Sequence, residues 1–154
     1  MECKERLERY FRENGVPFIT MNHPPAFTAP EVAAAQHVPG KQVAKVVMVM
    51  ADSALVMCVL PANAHVNVRL LADLLTAAEA RPAHEDEFAS IFPDCLLGAM
   101  PPFGNLYNVP VYCDPSLLDA PEIVFQAGTH SDAVKIRSAD YVRLVTPRVA
   151  QFAL

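Results

Sequence analysis

At 154 residues, 53% hydrophobic and 19% charged, the chain has enough apolar content to build a core without disulfides and too much to be disordered. A formal net charge of −5 argues against a nucleic-acid partner, DNA above all. No uncharged apolar run approaches a membrane span, so no membrane partner is expected, and the charged start "MECKERLERYFREN" lacks a secretory leader's apolar stretch, which predicts a cytoplasmic protein.

In chain order, "KERLERYFRENG" places Leu7, Tyr10 and Phe11 on one helical face with Gly15 as the C-terminal stop. "PFITMNH" reads as a short strand entering the "HPPAF" turn. Thr28 stands three residues before Glu31, a capping box that predicts a helix over "APEVAAAQHV". "KQVAKVVMVMADSALVMCVLP" holds two β-branched runs around "ADSA", a hairpin expected at the centre of a sheet. "VNVRLLADLLTAA" and "HEDEFASIF" follow as amphipathic helices. "VPVYCD", "EIVFQAG" and "AVKIR" read as strands, and "SADYVRLV" as a last helix capped by Ser138. The irregular alternation predicts an α+β (mixed α/β) domain over 1–154, with a central mixed, largely antiparallel sheet flanked by helices.

Three places could carry chemistry. Lys45 interrupts an apolar strand with no acid within six residues, so it either snorkels from a sheet edge or points into a cleft to meet an anion. The loop "LGAMPPFG" sets Gly98 four residues before Pro102. It is either a structural turn or a rigid backbone that offers its polar groups to a ligand. His130 in "AGTHSDAVKI" follows a bend at Gly128 and is either an exposed loop histidine or part of a pocket wall. Phosphate-binding glycine loops and GxSxG are absent. Cys3, Cys58, Cys95 and Cys113 show no CxxC, and the five histidines no ligand spacing, so reduced thiols, no metal and no cofactor are expected.

Taken in order, "NHPPAFTAPEVA", "VPGKQVAKVVMV", "LGAMPPFG", "VPVYCD" and "AGTHSDAVKI" resemble the YbaK/prolyl-tRNA synthetase-associated (ProX-like) editing domains over about 23–141. The resemblance implies a free-standing trans-editing deacylase. Such an enzyme hydrolyses the ester between a wrong small amino acid and the 3′ end of a tRNA, tRNA-Pro first, with prolyl-tRNA synthetase as an implied partner. It assigns Lys45, Gly98 and Pro102 to catalysis through a GxxxP backbone loop, and His130, Thr28, Ala99, Met100, Pro101 and Gly128 to substrate binding. Val46 stands where some members carry asparagine after the lysine. A non-catalytic module that binds an amino acid or an acceptor end is the alternative these residues leave open.

Overall fold

The computed structural model describes residues 2–26, 28–36 and 38–154. Met1, Phe27 of the expected "HPPAF" turn and His37 at the end of the expected second helix lie outside the described residues.

Helix α1 (Cys3–Glu13) buries Cys3, Leu7 and Phe11, which recur at four-residue intervals on one face. It ends in a Schellman turn: Gly15 adopts φ +67° while Val16 N–H donates to the Phe11 carbonyl at 2.8 Å and Gly15 N–H to Arg12 at 3.2 Å. Strand β1 (Ile19–Asn22) and helix α2 (Ala29–Gln36) follow, and Thr28 Oγ1 caps the helix by accepting from Glu31 N–H at 3.3 Å. The apolar hairpin is present as β2 (Ala44–Ala51) and β3 (Ala54–Pro61), registered from Ala44 opposite Pro61 to Ala51 opposite Ala54.

Beyond the hairpin come α3 (Val68–Leu74), β4 (Ala80–Pro82), α4 (Glu85–Phe88), β5 (Val111–Cys113) and α5 (Pro115–Leu118). The chain then runs through β6 (Glu122–Gln126), β7 (Asp132–Arg137), α6 (Ser138–Val145) and β8 (Arg148–Val149). The strands divide into two sheets rather than the single one expected. One has the order β4-β2-β3-β5-β8, the other β1-β7-β6, and a parallel bridge between Val43 and Val124 joins them. The hairpin does occupy the centre of the larger sheet, which is mixed because β5 runs parallel to both β3 and β8. β1, β7 and β6 pair antiparallel.

Between the layers, Phe11, Phe103, Phe125 and Tyr141, all fully buried, form a ring-on-ring cluster with centroid separations of 5.3 to 6.4 Å. The expected serine cap of α6 is corrected. Arg137 occupies the cap position, and Ser138, already helical, donates its hydroxyl to the Ala120 carbonyl while its N–H reaches Pro121. The hydroxyl is drawn to the neighbouring connection instead of its own helix end.

Asp114 is a buried anion that ties the far edge together. Its carboxylate accepts from the Ser116 N–H (3.0 Å) and hydroxyl (2.6 Å), capping α5, and from Phe152 and Ala153 N–H at 3.0 and 2.8 Å. Burial alone would raise its pKa, but these hydrogen bonds outweigh it and hold the carboxyl below its ordinary value. A depressed folded-state pKa contributes stability above the unfolded value and loses it as pH falls through the folded one. Asp114→Asn is therefore expected to cost about 1.5–3 kcal/mol in urea unfolding at pH 7. The cost should shrink as pH falls through the depressed folded-state pKa, where the wild type also loses its carboxylate.

Candidate functional site

A cavity of about 440 Å³ opens where the two sheets part. Val43, just before β2, bridges Val124 of β6, and β2 pairs with β4 from Val49 to Ala51; between them its outer edge carries no partner strand among the described residues, and Ala44, Lys45 and Val46 line the cavity there. Gln126 at the end of β6 forms another wall, with its side-chain amide donating to the Ala26 carbonyl at 2.9 Å. Thr28 and Pro30 at the start of α2 close one side, Gly98 and Met100 a second, and His65 stands exposed at the rim.

Lys45 does point into the cleft. Its amine donates to the Ala64 carbonyl and, being an ammonium with three N–H groups, keeps two for a ligand. Partial burial lowers its pKa. Among the described residues, the lining includes no carboxylate and no thiol, and Lys45 supplies a cation to the cavity wall.

The loop opposite Lys45 is pinned from behind. Gly128 N–H donates to the Ala99 carbonyl (2.9 Å), Leu96 N–H donates to the Gly128 carbonyl (2.8 Å), and the buried Tyr141 hydroxyl donates to the Pro102 carbonyl (2.8 Å). Four residues from 98 to 103 carry an amide hydrogen, because Pro101 and Pro102 have none. Ala99 N–H is taken by Leu96 and Phe103 N–H by Pro101. Among the described residues, the Gly98 and Met100 amides have no protein acceptor, and both residues line the cavity. Two free donors on a rigid loop are what an oxyanion or other anionic group would use.

The expected site residues therefore fall into two groups. Lys45, Thr28, Gly98 and Met100 are brought together at the cavity. Ala99, Pro101, Pro102 and Gly128 are buried behind it and hold the loop. His130 lies beside Gly98, where a β-carbon would sit 3.6 Å from its Cε1, and its carbonyl accepts from Ala26 N–H at 2.8 Å. Reasoning from sequence missed Gln126 and His65. Gln126 ends a strand read as wholly structural, and His65 is brought near by a pairing of His65 with Leu154 in both directions that no local pattern announces.

Gly98 holds φ +84°, and space at its α-carbon is ordinary, so a side chain there meets backbone strain rather than a clash. Gly98→Ala is expected to lower unfolding free energy by about 1–2 kcal/mol. Equilibrium urea denaturation checks this, and an unchanged midpoint would mean that the loop leaves the left-handed region freely.

The model of the aminoacyl-tRNA editing domain matches residues 23–144. A stretch of 79 residues is 35% identical to the multifunctional Ser/Thr-tRNA deacylase ProXp-y of two Escherichia coli strains, covering 51% of this chain and 45% of those proteins, so the match spans about half the length of the curated relatives. Among solved structures, a hypothetical protein superposes with a TM-score of 0.86 at 18% identity, over 97% of this chain and 99% of its own. A candidate trans-editing enzyme for prolyl tRNA synthetase superposes at 0.84 and 19%, over 100% and 98%. These two likenesses establish the shared fold. With the family model covering most of its length, the chain belongs to the aminoacyl-tRNA editing domain family.

Proposed function

We propose that the cavity deacylates misacylated tRNA, hydrolysing the ester that joins a small amino acid to the 3′-terminal adenosine. The observation that carries this reading is that Gly98 and Met100, whose amides have no acceptor among the described residues, line the same cavity as Lys45. An aminoacyl ester is already activated, so its hydrolysis needs a positioned water and donors for the oxyanion more than a strong base. Water attacks the ester carbonyl and the loop amides receive the developing negative charge. The ribose oxygen then leaves with a proton, giving free amino acid and intact tRNA. Lys45 holds the terminal ribose or phosphate, and Pro101 and Pro102 keep the donors from relaxing toward other acceptors.

Thr28 and Gln126 give the cavity hydrogen-bonding groups beside the small apolar Ala44 and Ala62, a lining suited to a short side chain, with or without a hydroxyl. The Escherichia coli relatives are named for Ser/Thr-tRNA, which supports serine and threonine as first substrates. The structural neighbour named for prolyl tRNA synthetase, with the sequence resemblance, supports tRNA-Pro as the first carrier and that synthetase as a partner.

The test is deacylation of a 3′-labelled panel, with Ser, Thr, Ala, Cys and 2-aminobutyrate on tRNA-Pro and on their own tRNAs, and Pro-tRNA-Pro as control. One or two esters should be hydrolysed and Pro spared, with Lys45→Ala losing about 10²- to 10³-fold in kcat/KM, the scale of one well-placed charge-stabilising donor. Lys45→Arg with full activity would remove any requirement for a compact ammonium. Binding of acceptor ends without turnover on any ester would replace the enzyme by a binding module.

A further inference from the structure

A second constellation lies behind the loop, away from the cavity that holds Lys45. Cys3 at the start of α1, Asp94 and Cys95 bring their sulfur and carboxylate atoms within 4.8 Å of one another. They share a separate open cavity of about 540 Å³ with Lys4, Leu96 and Gly128. Tyr107 closes the group: its hydroxyl donates to Asp94 at 3.0 Å and lies 3.4 Å from Cys95 Sγ and 3.8 Å from Cys3 Sγ. Arg6 stacks over the Tyr107 ring at 4.6 Å and stands 3.8 Å from the Asp94 carboxylate. The close approach of Cys3 is specifically accommodated. A β-carbon on Gly128, at φ +90°, would fall 2.4 Å from Cys3 Cβ and 2.8 Å from its sulfur.

We infer that Cys3 and Cys95 form a reversible oxidation site, joined as a disulfide by hydroperoxide, that ties the start of α1 to the segment leading into Gly98. Cys95 is the half-exposed partner and lines the open cavity, so it meets the oxidant first; Cys3, buried against Gly128, resolves it. The proximity of the two sulfurs supports that division: interaction with Cys3 holds Cys95 below the ordinary thiol range, while Cys95 and burial push Cys3 above it. Cys58 and Cys113 sit inside β3 and β5, where burial pushes both thiols up to about 12 and keeps them inert.

The chemistry balances in two steps. Cys95 sulfur attacks one peroxide oxygen, the O–O bond breaks, and the departing oxygen takes the thiol proton as water, leaving a sulfenic acid. Cys3 sulfur then attacks Cys95 sulfur, the S–O bond breaks, and the hydroxyl leaves with the Cys3 proton as a second water. Two thiols lose two electrons in all, peroxide gains them, and a dithiol reductant reverses the change. Closing the sulfurs to a bonded separation of about 2.05 Å from their present spacing draws residue 95 toward α1. Gly98 follows three residues later.

The test is mass spectrometry of the whole wild-type protein, treated while folded with stoichiometric hydrogen peroxide and then denatured and alkylated without reductant. Two of the four cysteines should become unreactive to alkylation, the mass should fall by two hydrogens, and the linked peptides should contain Cys3 and Cys95. Dithiothreitol should restore all four, and Cys95→Ser should abolish the linkage while Cys58 and Cys113 stay alkylatable. Linkage through Cys58 or Cys113, or Cys95 accumulating as sulfinic acid with Cys3 untouched, would overturn the inference. A deacylation assay on the oxidised protein, which rests on the function proposed above, should show a several-fold, dithiothreitol-reversible change. An unchanged rate would overturn the link to the loop, whereas a protein inactive in both redox states would fail the proposed function and leave the thiol site standing.

Discussion

The hydrogen bond from Tyr141 to the Pro102 carbonyl is the constraint on which the candidate site depends. It is buried, so no water competes for either group, and breaking it would strand both at a cost of about 1–3 kcal/mol. Because Pro102 is fixed at one end and Ala99 is held by Gly128 at the other, Met100 is constrained between two anchors and Gly98 sits directly beside one of them. The prolines contribute by omission, since each removes an amide that would otherwise need a partner. A flexible loop with the same residues would satisfy its donors internally and offer nothing to a ligand.

Sheet geometry makes the space that this loop faces. β2 is bonded along its whole length to β3, but its other edge meets β6 at Val43 and β4 only from Val49. Two sheets joined by a bridge at Val43 part beyond it, which leaves Lys45 on a half-covered stretch where a long polar side chain can reach out without burying its charge. A β4 long enough to pair with Lys45 would seal the edge and remove the cavity.

Much of this was legible in the chain. β-Branched runs marked β2 and β3, the Gly15 stop and the Thr28 cap marked helix ends, and the order of the motifs carried the family. Local pattern could not show that the strands divide into two sheets, because the Val43–Val124 bridge spans 81 positions and has no signature in either segment. β4, α5 and β8 are two to four residues long, too short for periodicity to register. Lys45 was conspicuous as a charge in an apolar strand, but whether it faced water or a cleft depended on which edge of β2 was covered. The resemblance places Pro102 with the catalytic residues and Pro101 with the substrate-binding ones. Their burial follows from Tyr141, 39 residues further on.

The acidic total is no obstacle to an anionic ligand, because the field at a site is set by the nearest charges and by what screens them. Beyond about 8 Å, exposed carboxylates are largely screened at physiological ionic strength. Here the described residues of the cavity wall include the Lys45 ammonium and no acid, and a separate cavity is lined by Lys41 as well as Asp119. A few phosphates at the end of a strand would meet these local charges, whereas a long duplex would also meet the rest of the acidic surface. A net charge of −5 is thus compatible with a short anionic group at the cavity.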